Sequence, residues 1–200
     1  MCFIGLTYLH LTAALGITAV SSENPISKSP IVSFLEFIII LALIFAMAAA
    51  KPGPYKYVLF ALFCILIGQT LAPLVQHLQA TGTLREVIGS VAGIFLAMTV
   101  VGFLDNQNFL GFGGYLLAAL LGLIVARILL IIAKVSDVSS LDVTKMNKAL
   151  NLIGTMLFAV FVAYDTQLLK RKAKKPYDYV DASLGLFLDI INLFSMEGDM

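Results

Sequence analysis

Charge is scarce in this chain. Only 12% of its 200 residues are Asp, Glu, Lys or Arg, against 60% hydrophobic, and the mean hydropathy is +0.97. Soluble domains run roughly half apolar and about a quarter charged, so a water-soluble globule is excluded. Cysteine is equally sparse. Cys2 and Cys64 both fall in apolar stretches without ligand-type spacing, so they read as small packing residues and not as a disulfide or a metal pair. No zinc-protease HExxH, P-loop, GxSxG or calcium-loop pattern occurs, and there is no internal repeat or low-complexity tract. The net charge of +1 sits in loops and a few intramembrane sites, which gives no footprint for nucleic acid. The first 20 residues lack the basic region of a signal peptide, which favours a retained first helix.

What is abundant is long apolar sequence. A bilayer core about 30 Å thick takes roughly 20 apolar residues per helix. Uninterrupted runs place spans near 2–20, 31–50, 57–76, 87–104, 112–133 and 148–169, with a shorter run near 182–196. The breakers between them are ordinary: "SSENPISKSP", "KPGP", "ATGTLR" and "DNQNFLGFGG". The runs do not alternate at period two, so helices are expected and a barrel is not. The expectation is therefore an all-α integral membrane protein forming a single transmembrane domain over 1–200. The final run of about 15 residues is short for a span, about 22 Å as a helix, and reads either as a short central helix or as a re-entrant hairpin.

Lys51, Lys56, Lys170, Arg171, Lys172, Lys174 and Lys175 follow the even-numbered spans, and Lys28, Arg85, Lys134, Lys145 and Lys148 follow the odd-numbered ones. The bias is modest, but the "KRKAKK" cluster lies beside a membrane end, where basic residues count most. It is expected in the cytosol, together with the N-terminus.

Ionisable side chains inside apolar runs are costly, and each needs a partner or a water-filled cavity. Asp165 lies shortly before the basic loop and Asp189 shortly after it, so the two acids sit at similar depth near the cytosolic side. Two close carboxylates in a poorly solvated site cannot easily both ionise; they share a proton and titrate as a unit, which makes a proton-sensitive latch. The plainer alternative is that one or both snorkel to the cytosol and pair with Lys170 or Arg171. Asp189 sits in mid-run, with Gly185 four before it and Asn192 three after it on one helix face, which suggests an interior surface. Glu36 and Arg127 have matching depths towards the outer face. They form either an ion pair there or two separate snorkelling ends. His10 and His77 read as structural histidines satisfied by neighbours. "GSVAG", Gly89 to Gly93, is a GxxxG whose default reading is close helix packing.

Taken together, these residues resemble the Bax inhibitor family, also called the transmembrane BAX inhibitor motif or lifeguard family. "AYDTQLL" followed by "ASLGLFLDIINLF" is similar to its C-terminal signature of two aspartates. In order along nearly the whole chain, "TYLHLTAALGITAVSS" resembles the first span, "GQTLAPLVQH" the third, "EVIGSVAGIF" the fourth and "LDNQNFLGFGGYL" the approach to the fifth. The resemblance implies a seven-helix bundle in which six spans surround a short C-terminal helix. It also implies a calcium leak across the membrane controlled by pH, with a cell-death-suppressing role. Asp165 and Asp189 match the two family aspartates that share a proton and govern the leak, with Ca²⁺ as the permeating ion held only transiently between them and no resident cofactor. The family sits in endoplasmic reticulum or Golgi membranes in eukaryotes and in the plasma membrane of bacteria. Glu36, in "SFLEF", matches a family glutamate whose basic partner has no counterpart here, because Met47 stands in its place; Arg127 is the candidate substitute. The acidic "SMEGDM" end replaces the basic tail common in eukaryotic members.

Carboxylates suit a calcium path because hard divalent cations prefer oxygen ligands, and two are too few for a tight cage of six to eight oxygens. An intramembrane aspartyl protease is the enzymatic alternative. The second acid stands in "LFLD" and not in Gly-x-Gly-Asp, and a Pro-Ala-Leu motif is missing, so no enzymatic activity is expected. A non-conducting regulator that binds other membrane proteins is the third reading. The partners expected are the lipid bilayer, calcium ions and other membrane proteins.

Overall fold

The computed structural model describes residues 3–26, 30–51, 53–104, 108–135, 142–173 and 179–200. Among them are seven α-helices and no strand: α1 Phe3–Glu23, α2 Pro30–Ala49, α3 Pro54–Thr81, α4 Leu84–Phe103, α5 Gly113–Val135, α6 Val143–Lys172 and α7 Tyr179–Gly198, with a short 3-10 turn, Phe109–Phe112, leading into α5. All seven are long and apolar enough to cross a membrane. Proline begins α2 and α3, where a missing N–H costs no helical hydrogen bond. Gly82 ends α3 in the left-handed conformation at φ 76°, its N–H donating to the Gln79 and Leu78 carbonyls.

Three helices outrun their apolar cores. α7 has 20 residues, about 30 Å, where the apolar run alone gave about 15. The difference is its polar ends, Tyr179–Asp181 and Ser195–Gly198, which continue the helix because helical hydrogen bonding does not stop where hydropathy falls. α7 is thus one continuous helix of spanning length. For the same reason α3 reaches 28 residues and α6 reaches 30. Lys28, Lys174, Lys175 and Cys2 lie outside the described residues.

The chain divides into two compact units, and both α6 and α7 contribute to each: Met1–Leu84 with Leu169–Leu188, and Arg85–Leu168 with Asp189–Met200. In the first unit α3 packs against α1 and α2. Gly68 allows the close approach of α1: a Cβ there would stand 2.5 Å from the Thr18 carbonyl oxygen and 2.6 Å from Ser21 Cβ. Thr18 and Ser21 reach across, their hydroxyls donating to the Cys64 and Ile65 carbonyls at 3.1 and 2.8 Å. Gln69 then seals the end of α1, donating to the Ser21 and Asn24 carbonyls and accepting from the Ile26 N–H. Phe60 and Phe63 of α3 meet Phe187 of α7 edge-on with centroids 6.0 Å apart.

In the second unit Leu116 and Leu123 of α5, Leu157, Phe158 and Val162 of α6, and Leu193 and Met196 of α7 form a buried core with Val91 of α4. Gly102 of α4 makes the tightest approach to α6, where a Cβ would lie 2.7 Å from the Ala163 carbonyl oxygen. The GxxxG glycines do not take that role. Gly89 and Gly93 are exposed and a Cβ on either would meet nothing within 4 Å, so the packing read from that motif is corrected. Spacing identifies a small-residue face, but only the rotation of α4 decides whether that face meets protein or lipid.

Candidate functional site

Asp165 lies seven residues before the end of α6 and Asp189 ten residues into α7, and both belong to the second unit. The two carboxyls lie within electrostatic reach of each other. Asp189 is buried at 5% exposure, and its Oδ2 has no hydrogen-bond partner among the described residues. Asp165 is half-buried. Thr166, next in sequence, is wholly buried and its hydroxyl has no partner among the described residues; its side chain lies against Gly102 of α4. The close approach of α4 at Gly102 is made against Ala163 and Thr166, on the same turn of α6 as Asp165. Gln167, next along, accepts the Phe109 N–H at 2.9 Å and ties the turn before α5 to the same stretch of α6.

A buried carboxyl with an unanswered oxygen beside a second carboxyl can hold a shared proton or receive a hard cation. Among the described residues no group of three or more His, Cys, Asp or Glu converges, so the acids here are two carboxyls and not part of a larger cluster of such ligands.

Glu36 is buried on α2 in the first unit. Arg127 of α5 directs its guanidinium to neutral groups of the second unit: it donates to Asn147 Oδ1 at 3.3 Å, to Asn151 Oδ1, and to Met196 Sδ at 2.7 Å. His77 is exposed on α3. His10, Tyr57 and Tyr179 form a triangle of rings, His10 stacked on Tyr57 at 5.3 Å and tilted against Tyr179 at 4.9 Å, and the two tyrosine hydroxyls are hydrogen-bonded to each other.

Two features escaped sequence reading. Lys56, counted there as a loop charge, is buried and its Nζ lies 2.6 Å from Asp181 Oδ1 in the first unit. Nothing in a sequence signals that pairing across 125 positions. The Arg127 partners were more legible, since Asn147 and Asn151 are four apart and present one polar stripe on α6.

Seven apolar helices, one of them carrying the buried carboxyl of Asp189, define an integral membrane protein of helical type. The family model described as "Inhibitor of apoptosis-promoting Bax1" matches residues 1–196, and the chain belongs to that Bax inhibitor family. It is 28% identical to Bax inhibitor 1 of Schizosaccharomyces pombe, over 97% of this chain and 73% of that protein. It is 27% identical to a protein of Borreliella burgdorferi, over 95% of this chain and 85% of the other. Similarity extends to the inner membrane protein YbhL of Escherichia coli, at 28% identity over 83% of this chain and 70% of that one.

Proposed function

We propose that the protein is a pH-sensitive calcium leak channel, with Asp165 and Asp189 as its proton-sharing gate and a role in suppressing cell death. The observation that carries this reading is the buried Asp189 carboxyl, with one oxygen unanswered, beside Asp165. With one proton between them the pair bears a single negative charge and a strong hydrogen bond that ties α6 to α7. Loss of that proton leaves two like charges close together where water is scarce. Their repulsion spreads the helices while the added charge draws Ca²⁺ towards carboxylate oxygen. Deprotonation therefore favours the conducting state, and calcium passes through without a resident site. The membrane would be the endoplasmic reticulum or Golgi in a eukaryotic or viral setting and the plasma membrane in a bacterium.

The test is Ca²⁺ flux through purified protein in liposomes from about pH 5 to about pH 8, a range spanning the titration of a shared carboxylate proton. Asp165→Asn and Asp189→Asn keep shape and hydrogen bonding but remove the second ionisation, so each variant should lose most of the pH response. Wild-type pH dependence in both variants defeats the shared-proton gate. Wild-type liposomes that pass no Ca²⁺ at any pH leave a non-conducting regulator in its place.

A further inference from the structure

Arg127 stands eight residues before the end of α5, within a membrane-spanning helix, and the groups it touches in its unit are neutral. A guanidinium keeps its proton in any surroundings. Amide oxygens lower the cost of holding that charge in an apolar setting, yet they leave it uncancelled. The surrounding groups also hold more donors than acceptors. Arg127 Nε, Asn151 Nδ2 and Thr155 Oγ1 are buried without a hydrogen-bond partner, and Asn151 is wholly inaccessible. Asn147, Asn151 and Thr155 follow one another at intervals of four along α6, so all three face the same way. A positive charge beside two surplus N–H donors and a hydroxyl calls for a compact ligand with several anionic oxygens.

We infer that Arg127, Asn151 and Thr155 form a binding site for a phosphate ester, with Met196 as its displaceable plug. The fork of a guanidinium matches two phosphate oxygens at once, and bonds of this charge-assisted kind are the strong ones. Met196 fills the place from α7. Gly154 makes the room for it, since a Cβ there would lie 2.7 Å from the sulfur. A thioether is a weak acceptor on an unbranched, readily rotated chain, so a phosphate oxygen replaces it at little cost. Around Arg127 the α5 surface is apolar and exposed at Ile124, Ile128, Leu129 and Ile131, a flank of the chemistry that acyl chains cover. A phospholipid headgroup and free phosphate share the recognised chemistry, and the site is independent of the calcium reading.

The full chain, purified in mild detergent, is examined by native mass spectrometry with phosphatidylglycerol, and its melting temperature is followed separately with inorganic phosphate. Wild type should retain one phosphatidylglycerol. Arg127→Gln should lower that retention about tenfold, the worth of one charge-assisted hydrogen bond, and Met196→Ala, which removes the plug, should raise it. A phosphate-induced rise in melting temperature that Arg127→Gln abolishes, without lipid retention, upholds the site with a soluble phosphate as its ligand. If Arg127→Gln does not fold, Met196→Ala decides: raised retention supports the site and unchanged retention overturns it. Equal retention by all three proteins with no response to phosphate also overturns it, as does a lipid-independent coupling in melting temperature between Glu36→Gln and Arg127→Gln, which would mark an internal ion pair instead.

Discussion

Lys56 in the first turn of α3 and Asp181 in the first turn of α7 form an ion pair of 2.6 Å, with the lysine side chain 3% exposed and the aspartate 31%. A buried ammonium that loses this counter-charge loses much of what offsets its desolvation. Asp181→Asn should therefore destabilise the protein by about 2 to 3 kcal/mol, below the largest values for such pairs because the carboxylate is partly wet. Lys56→Met with Asp181→Asn should cost less than the two single changes added together. Unfolding curves in a detergent titration measure the four proteins, and simple additivity would show that the pair carries no coupling.

Two glycines predict opposite tolerances to one methyl group. At Gly68 the obstacle is the Thr18 backbone oxygen at 2.5 Å, which moves only if α1 moves. At Gly154 it is the end of the Met196 side chain, which rotates away. Gly68→Ala should cost about 2 to 3 kcal/mol and Gly154→Ala less than about 1 kcal/mol. Melting temperatures of the two variants in one detergent check the order; a reversal would mean that α1 yields more easily than Met196.

Asp142 caps α6, its Oδ1 accepting the Lys145 N–H at 3.1 Å and its Oδ2 lying 3.0 Å from Lys145 Nζ. The bond from the Lys145 backbone, then the lysine side chain, hold its carboxyl below the ordinary value. A group with a lowered folded-state pKa stabilises above its unfolded-state value and loses that contribution as pH falls through the folded-state value. The first turn of α6 should thus fray below about pH 4. Protection factors at residues 143–147, in which the intrinsic pH dependence of exchange is divided out, should fall there in the wild type, be low at every pH in Asp142→Ala, and stay unchanged in Asp142→Asn, which still caps.

The basic end of α6 predicts orientation. Lys170, Arg171 and Lys172 close that helix, and basic residues at membrane ends remain on the cytosolic side. A cysteine at Ala173, in a chain lacking Cys2 and Cys64, should react with an impermeant reagent only after the cytosolic face is opened. Labelling from outside intact cells would reverse the topology.

Much of the architecture was legible because hydropathy acts locally. A run of apolar residues long enough to cross a bilayer has only the helix as a way to satisfy its backbone, so the first six helices could be read from the chain, while the shorter last run left a helix and a re-entrant hairpin both open. The helix ends were less legible, as α7 shows, because hydrogen bonding carries a helix past its apolar limit into Tyr179 and Gly198. Asp165 and Asp189 drew notice for their cost alone, since an acid in an apolar run stands out without any knowledge of its neighbours.

What surrounds those acids, and which small residues meet protein, the sequence by itself did not determine. Gly89 and Gly93 carry the spacing of a packing motif and stand in the open, whereas Gly68, Gly102 and Gly154 sit against neighbouring helices without any motif to announce them. Lys56 has the look of a loop cation and is buried against Asp181, and Arg127 turns to Asn147 and Asn151. Each of these outcomes depends on how a helix is rotated and which helix lies beside it. Rotation is fixed by the sum of many weak contacts between distant parts of the chain, so the tertiary structure alone decides it.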